Sequence, residues 1–309
     1  MARKRERGWP PAPEALPLPV VDDHTHLESI AGVLPDVDEE GRPLPVPTVA
    51  QHIEDAARVG VDRMVQVGCD LPSARLTGAL VREHRALLGA IAIHPNEATL
   101  HAGVTEVGPD GLTPTPEARH AVGLDDAIAE IAAIARGNDR IRAIGETGMD
   151  LFRTGPQGAA VQRESFRAHV ALAKELGLPL QIHDRDAHAE VIEVLLADGA
   201  PERTVFHCFS GDAEMARLCA AQGWYLSFAG PVTFGANDEL RAALAAVPLG
   251  QVLVETDAPY LTPHPYRGRP NAPYLLPHTV RKVAEVTGTG IEQVCARLSE
   301  TAEQVYGPW

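Results

Sequence analysis

Short apolar runs alternate with longer stretches of helical period along most of this chain. Eight such runs stand out: PVVDDHTH, DRMVQVG, GAIAIHP, IRAIGETG, LPLQIHD, RTVFHCF, WYLSFAG and QVLVETD. Their apolar residues follow one another without strict polar alternation, which suits strands covered on both faces, as in a parallel sheet. Helical spacing predicts helices over 48–58, 72–87, 123–136, 159–176, 186–197, 212–222 and 237–246, with more helix from 277 to the end. Within 159–176, Phe166, Val170, Ala173 and Leu176 recur on one face, and Gly177 supplies the stop. Eight strand and helix units in 309 residues predict one α/β domain, a (β/α)8 TIM barrel spanning 17–309. Two long connections, 28–47 and 97–121, are rich in Pro, Gly and acidic residues and read as insertions on the rim. Residues 1–16 mix Arg, Lys, Pro and Glu without periodicity and read as a flexible basic, proline-rich tail, whose Arg3 to Arg7 cluster can contact phosphate.

The polar residues fall at particular places in this pattern. Histidine or carboxylate closes six of the eight runs: His24 and His26 the first, His94 the third, Glu146 the fourth, His183 the fifth, His207 the sixth and Asp257 the eighth. Spacing by two along a strand puts His24 and His26 on one face. In a barrel of this kind the C-terminal rim gathers side chains distant in sequence, so no local motif is required. Four imidazoles and two carboxylates suffice for two cations: one between His24, His26 and Asp257, the other between His183 and His207, with Glu146 bridging. His94 is then left for substrate or proton handling. The remaining histidines (52, 84, 101, 120, 169, 188, 264 and 278) lie in helices or loops and are read as structural.

Composition bears on the substrate more than on the fold. Hydrophobic residues make up 45% of the chain and charged ones 22%, an ordinary globular balance. No apolar run reaches the roughly 18 residues of a membrane span, and the start lacks a signal-type apolar stretch, so the expected compartment is the cytoplasm. Cys69, Cys208, Cys219 and Cys295 form no CxxC pair and are read as packing thiols. A formal net charge of −15 counts against a polyanionic substrate. The objection is limited, because a buried pair of cations reverses the local sign.

The strand-end strings also resemble signatures of the TatD family of deoxyribonucleases, in the same order along the chain. DDHTHL resembles the family's opening DxHxHL, AIAIHPNEA its third-strand HP motif, and AIGETGMD its AIGExGLD. LPLQIHDRDA carries HxRxA, VFHCFSG carries HCFSG, and LVETDAPYLTP is similar to LxETDxPYLxP, so the resemblance spans roughly residues 20–307. It implies two divalent ions, magnesium being the usual activator with zinc or manganese also possible, and hydrolysis of phosphodiesters from the 3′ end of DNA. The ligands carried over by the resemblance are His24, His26, Glu146, His183, His207 and Asp257. The chain departs from the family in 97–121 and in SETAEQVYG, where Thr301 stands in place of a usual Asn.

These readings assign roles. Asp257 orients and deprotonates a water, with Glu146 and His94 beside it as catalytic groups. Arg185 is the candidate guanidinium for a phosphate, against the alternative of an ion pair with Asp184 or Asp186. His94 is to hydrogen-bond a phosphate oxygen or the leaving group, and Ser210 is to open the sixth helix, either receiving phosphate at that N-terminus or merely capping it. DNA ends are the expected substrate, and no obligate protein partner is implied. Competing readings are an aminoacyl-tRNA ester hydrolase, another ester or amide hydrolase of the amidohydrolase group, and an inactive metal-binding scaffold.

Overall fold

The structure, a computed structural model, describes residues 8–309. Eight strands, β1 (Val20–Thr25), β2 (Val61–Gly68), β3 (Leu87–Ile91), β4 (Ile141–Asp150), β5 (Leu180–Arg185), β6 (Thr204–Phe206), β7 (Tyr225–Phe228) and β8 (Val252–Val254), lie side by side in sequence order. Every neighbouring pair is parallel. The ring closes between β8 and β1 through bonds just past the ladder: Asp257 N–H donates to His24 O (3.0 Å), and His26 N–H to Ala258 O (2.8 Å). Closure therefore fixes three of the expected site residues against one another. This is the (β/α)8 barrel that the alternating pattern predicts.

Around it run α1 (Ile30–Val33), α2 (Val49–Arg58), α3 (Leu71–Glu83), α4 (Pro95–His101), α5 (Leu124–Arg136), α6 (Pro156–Leu176), α7 (His188–Asp198), α8 (Ala213–Ala221), α9 (Asp238–Ala245), α10 (Leu276–Thr287) and α11 (Ile291–Tyr306). β3 is buried at every position, as a strand covered on both sides must be. One core fills the space between strands and helices, with Met64, Leu87, Ile91, Phe166 and Phe206 fully buried. A second, with Val21, Val65, Leu88, Val205 and Leu253, fills the barrel interior. Tyr306, at the end of α11, joins it and donates its hydroxyl to Asp23 (2.9 Å). Gly177 ends α6 with φ 63°, the left-handed stop expected there.

The departures from the sequence reading have local causes. The helix expected at 72–87 runs from Leu71 to Glu83, because Asp70 and Ser73 form a capping box at its start and β3 begins at Leu87. The stretch from 277 divides at Gly288, in the left-handed region, into α10 and α11. Connection 97–121 begins inside α4 and then runs irregularly to a 3-10 turn at Ala118–Ala121. Its end is clipped by Arg119, which grips Glu97 with two nitrogens (2.6 and 3.0 Å) and reaches Asp70 (3.3 Å). The tail expectation needs correction for residues 8–16. The Trp9 ring packs on His52 and Tyr274, Tyr274 donates to Pro10 O (2.7 Å), and Leu16 N–H donates to Val59 O (3.0 Å). One indole and its flanking prolines dock this segment without any helical or strand period to announce it. Arg3 to Arg7 lie outside the described residues. Among those residues no helix is long and apolar enough to cross a membrane.

His169, on α6, ties the helix layer to the end of β3. Its Nε2 accepts the Ile93 N–H (3.2 Å) and its Nδ1–H donates to Ser165 O (2.8 Å), so a second ring proton would face a donor. Burial lowers its pKa to about 4. A histidine that stays neutral when folded but binds a proton when unfolded costs stability as pH falls. The loss runs from about pH 6.5 to about 4 and totals roughly 3 kcal/mol. Urea titrations across that range should show a shallower pH dependence in His169→Gln than in the parent, by about one proton; identical slopes would contradict the assignment.

Candidate metal centre

Five of the six expected ligands, His26, Glu146, His183, His207 and Asp257, line a cavity of about 740 Å3 at the C-terminal mouth of the barrel together with His94, Asp150 and Arg185. The sixth, the fully buried His24, adjoins His26. Glu146 and His183 sit within β4 and β5, whereas His26, His207 and Asp257 lie just past β1, β6 and β8. Gly148 has φ 141°, and a Cβ there would stand 2.1 Å from His183 O, so only glycine lets β4 run this close to β5. Asp257 has φ 48°, a left-handed backbone held by its bond to His24 O and by the Tyr260 N–H that its own carbonyl accepts (2.8 Å).

The outer nitrogen of each imidazole is already committed. Gln181 gives both amide hydrogens away, to Asp23 O (2.8 Å) and to the Tyr306 hydroxyl (2.7 Å), so its Oε1 accepts from His24 Nδ1–H (3.1 Å). His26 Nδ1–H donates to Val67 O (3.1 Å), His207 Nδ1–H to Glu255 Oε1 (3.0 Å) and His183 Nε2–H to Asp150 Oδ2 (3.3 Å). In the neutral form of each ring the opposite nitrogen therefore turns a lone pair inward, and His183 and His207, when protonated, donate from that nitrogen to Glu146. Outer acceptors of this kind fix the tautomer of metal-binding histidines. His24 Nε2 and His26 Nε2 stand 3.2 Å apart. Two ligand atoms bonded to one ion at about 2.1 Å and roughly right to tetrahedral angles would be separated by about 3.0–3.4 Å. His24, His26 and Asp257 thus fit one cation in chemistry and spacing. Glu146 groups at ligand spacing with His24 and His207 on one side and with His94 and His183 on the other, His183 and His207 standing too far apart to share one such group.

Glu146 divides the cluster. Its Oε1 meets His183 Nδ1 (2.6 Å) and His207 Nε2 (3.0 Å), while its Oε2 faces His24 Nε2 (3.6 Å) and His26 Nε2 (3.8 Å). Asp257 Oδ1 stands 3.5 Å from His26 Nε2 and 4.0 Å from His24 Nε2. Burial opposes ionisation of Glu146, but the charges of His207 and His94 and the hydrogen bonds from His183 and His207 hold its carboxyl well below the usual range. Burial likewise disfavours charge on His26 and His183, yet their carboxylate neighbours outweigh it and raise both to about 9. The pocket is built to hold positive charge against Glu146 and Asp257.

His94 has the reverse tautomer. Its Nδ1 accepts the Asn96 N–H (3.1 Å) at the start of α4, so the proton of the neutral ring sits on Nε2, 3.5 Å from Glu146 Oε1. It presents a donor to the cavity, not a lone pair. Glu97, His101 and His120 also gather near the rim. There Glu97 is already gripped by Arg119, and His120 Nε2–H donates to it (2.8 Å), so this group is read as the clip on the insertion.

The profile of the family described as "TatD related DNase" matches residues 21–307. The chain belongs to the TatD family. It is a metal-dependent hydrolase, similar to the "Uncharacterized metal-dependent hydrolase TatD" of Mycobacterium tuberculosis, at 41% identity over 93% of this chain and 98% of that one. The "3'-5' ssDNA/RNA exonuclease TatD" of Cronobacter sakazakii is 33% identical over 72% of this chain and 76% of its own length. The TatD homologue YJJV of Escherichia coli, a solved structure, shares the fold with a TM-score of 0.75 at 21% identity, covering 94% of this chain and 98% of that one.

Other TatD site expectations fare differently. Arg185 lies on the rim with its guanidinium 4.2 Å over the Phe152 ring, and among the described residues it pairs with neither Asp184, which instead meets His188 Nδ1 (2.7 Å), nor Asp186. Ser210 lines the cavity but does not open the helix. Asp212 caps α8, accepting the N–H groups of Glu214 and Met215 (both 2.9 Å). Of the four cysteines, Cys219 and Cys295 are buried packing thiols, whereas Cys69 and Cys208 line the cavity. Burial and then Glu146 push the Cys69 thiol up, and it donates to Glu146 Oε2 (3.2 Å).

The sequence reading missed the outer layer, Gln181, Asp150 and Glu255. A signal existed for two of them: Gln181 precedes His183 by two positions, and Glu255 precedes Asp257 by two, the spacing that keeps side chains on one face of a strand. Replacing Glu255 by Ala should weaken divalent-cation affinity about 10- to 100-fold in a chelator competition titration, because His207 loses the acceptor that aims it. An unchanged affinity would show that Glu255 does not act through His207.

Proposed function

We propose that this protein is a two-metal phosphodiesterase that shortens single-stranded DNA from its 3′ end. The observation that carries the reading is the placement of Glu146, one oxygen toward His24 and His26, the other toward His183 and His207. On this reading His24, His26 and Asp257 would hold one cation and His183 and His207 the other, with Glu146 shared between them. Magnesium is the preferred working ion, with manganese or zinc as substitutes. When bound, two divalent cations against two carboxylates leave about two positive charges in the pocket, enough to draw in phosphate despite the net charge of −15, to polarise it and to make water more acidic.

The chain's own groups then divide the work. Asp257, at the mouth, orients the attacking water and takes its proton at a carboxylate oxygen. His94 donates from Nε2–H to a phosphoryl oxygen or to the leaving oxygen, a role its backbone bond to Asn96 prepares. Arg185 meets the phosphate with two parallel N–H groups, its plane steadied by the Phe152 ring. Ser210 lines the same mouth and contributes a hydroxyl to the phosphate. The name of the Cronobacter relative supports a single strand as substrate and a 3′ to 5′ direction.

With 5′-labelled single-stranded DNA and magnesium, manganese or zinc, the expected product ladder shortens stepwise from the 3′ end. An unchanged ladder under all three metals would turn the assignment toward a small ester. Glu146→Ala should retain the circular dichroism of the parent, since the barrel core does not need its rim. It should lose both cations by native mass spectrometry, and its hydrolysis should fall roughly a thousandfold or more. A variant that keeps two ions would refute the bridging role.

A further inference from the structure

Two hollows adjoin the cavity over the metal centre, and they differ in charge. One, of about 820 Å3, shares Cys208 and Ser210 with it and is lined by Asp212, Glu214, Asp238 and Glu239, with no lysine or arginine. The other, of about 440 Å3, shares Tyr260 with it and is walled by Val33, Leu34, Pro35, Pro259 and Pro270, with no carboxylate in its lining. A nucleic-acid strand carries a negative charge on every phosphate, so the first hollow repels it. The second sets proline and aliphatic surface beside a π face, and its lining also includes Arg269, a cation that suits a phosphate-bearing strand.

Tyr260 is also unusual in its exposure. It is 52% exposed and is the one exposed aromatic side chain among the described residues, in a chain with few aromatics. Its backbone is tied to the metal centre: Tyr260 N–H donates to Asp257 O (2.8 Å), and the fully buried Asn271 donates through Nδ2 to both Tyr260 O and Thr256 O. One edge of the ring approaches His26, with centroids 6.4 Å apart and planes at 67°. The ring is therefore fixed in register with the expected ligands while much of its surface stays open.

Resting on the phosphodiesterase reading above, we propose that Tyr260 is the stacking platform for the nucleobase on the 5′ side of the scissile phosphate, and that the strand leaves the cavity over it into the proline-walled hollow. Base stacking on an aromatic side chain tolerates any sequence, since every base has a π face. The position of Tyr260, three residues after Asp257, sets the distance between the stacked base and the phosphate to be cut.

The test compares Tyr260→Ala, Tyr260→Phe and the parent, each loaded with the same divalent metal, on a single-stranded decanucleotide. A second strand lacks only the base immediately 5′ of the first cleaved phosphate. Tyr260→Ala should raise KM for the complete strand roughly tenfold or more, with a smaller change in kcat, and Tyr260→Phe should restore the parent value. On the strand lacking that base the parent should be weakened, and Tyr260→Ala should weaken it no further. An unchanged KM on the complete strand, or an equal loss on both strands, would overturn the platform while leaving the phosphodiesterase reading intact. A parent enzyme that cleaves neither strand would overturn that reading and the platform with it.

Discussion

A single buried carboxylate, Glu146, organises this protein. An ionised carboxylate taken out of water is costly unless opposite charge and hydrogen bonds surround it. Here imidazole nitrogens approach both of its oxygens, and the Cys69 thiol adds a donor on one side. Those imidazoles are in turn held from behind by an amide oxygen, a backbone carbonyl and two carboxylates, so their inward nitrogens cannot rotate away. The rigidity belongs to the outer layer, and the inner layer inherits it.

The barrel makes this arrangement possible without local sequence motifs. Parallel strands bring every C-terminal end to one opening, and the bonds that close the ring between β8 and β1 are made by the backbone of His24, His26, Asp257 and Ala258. Fold closure and site assembly are the same event at that seam. The exterior can then remain acidic, because attraction for an anion is set by the charges that the mouth gathers and not by the total. On the phosphodiesterase reading proposed above, the acidic hollow beside α8 and α9 would turn a strand away from one side of the opening.

The barrel and the convergence of the proposed ligands were legible in the sequence because polar strand ends and apolar strand bodies leave opposite signatures in one place. An uninterrupted apolar run such as Leu87 to Ile93 before His94 says that both faces of a strand are covered, and a polar residue closing it has only the open end of the barrel to face. His169, within a helix, lacked that context and is a packing residue bonded to backbone. What stayed hidden depended on contacts with no period. Trp9 docks by one aromatic face, Asp212 rather than Ser210 caps α8 because two extra residues turn before the helix begins, and Glu255 finds His207 from a different strand. Gln181 read as one more strand residue, although its amide, fixed by Asp23 and Tyr306, decides the tautomer of His24.

The central claim, that one carboxylate spans two cations, is tested most directly by anomalous X-ray diffraction from crystals of the manganese-loaded protein. The account predicts two anomalous peaks, one on either side of Glu146, the first within bonding distance of His24, His26 and Asp257, the second within bonding distance of His183 and His207. A single peak, or two peaks that leave Glu146 uncoordinated, would contradict it.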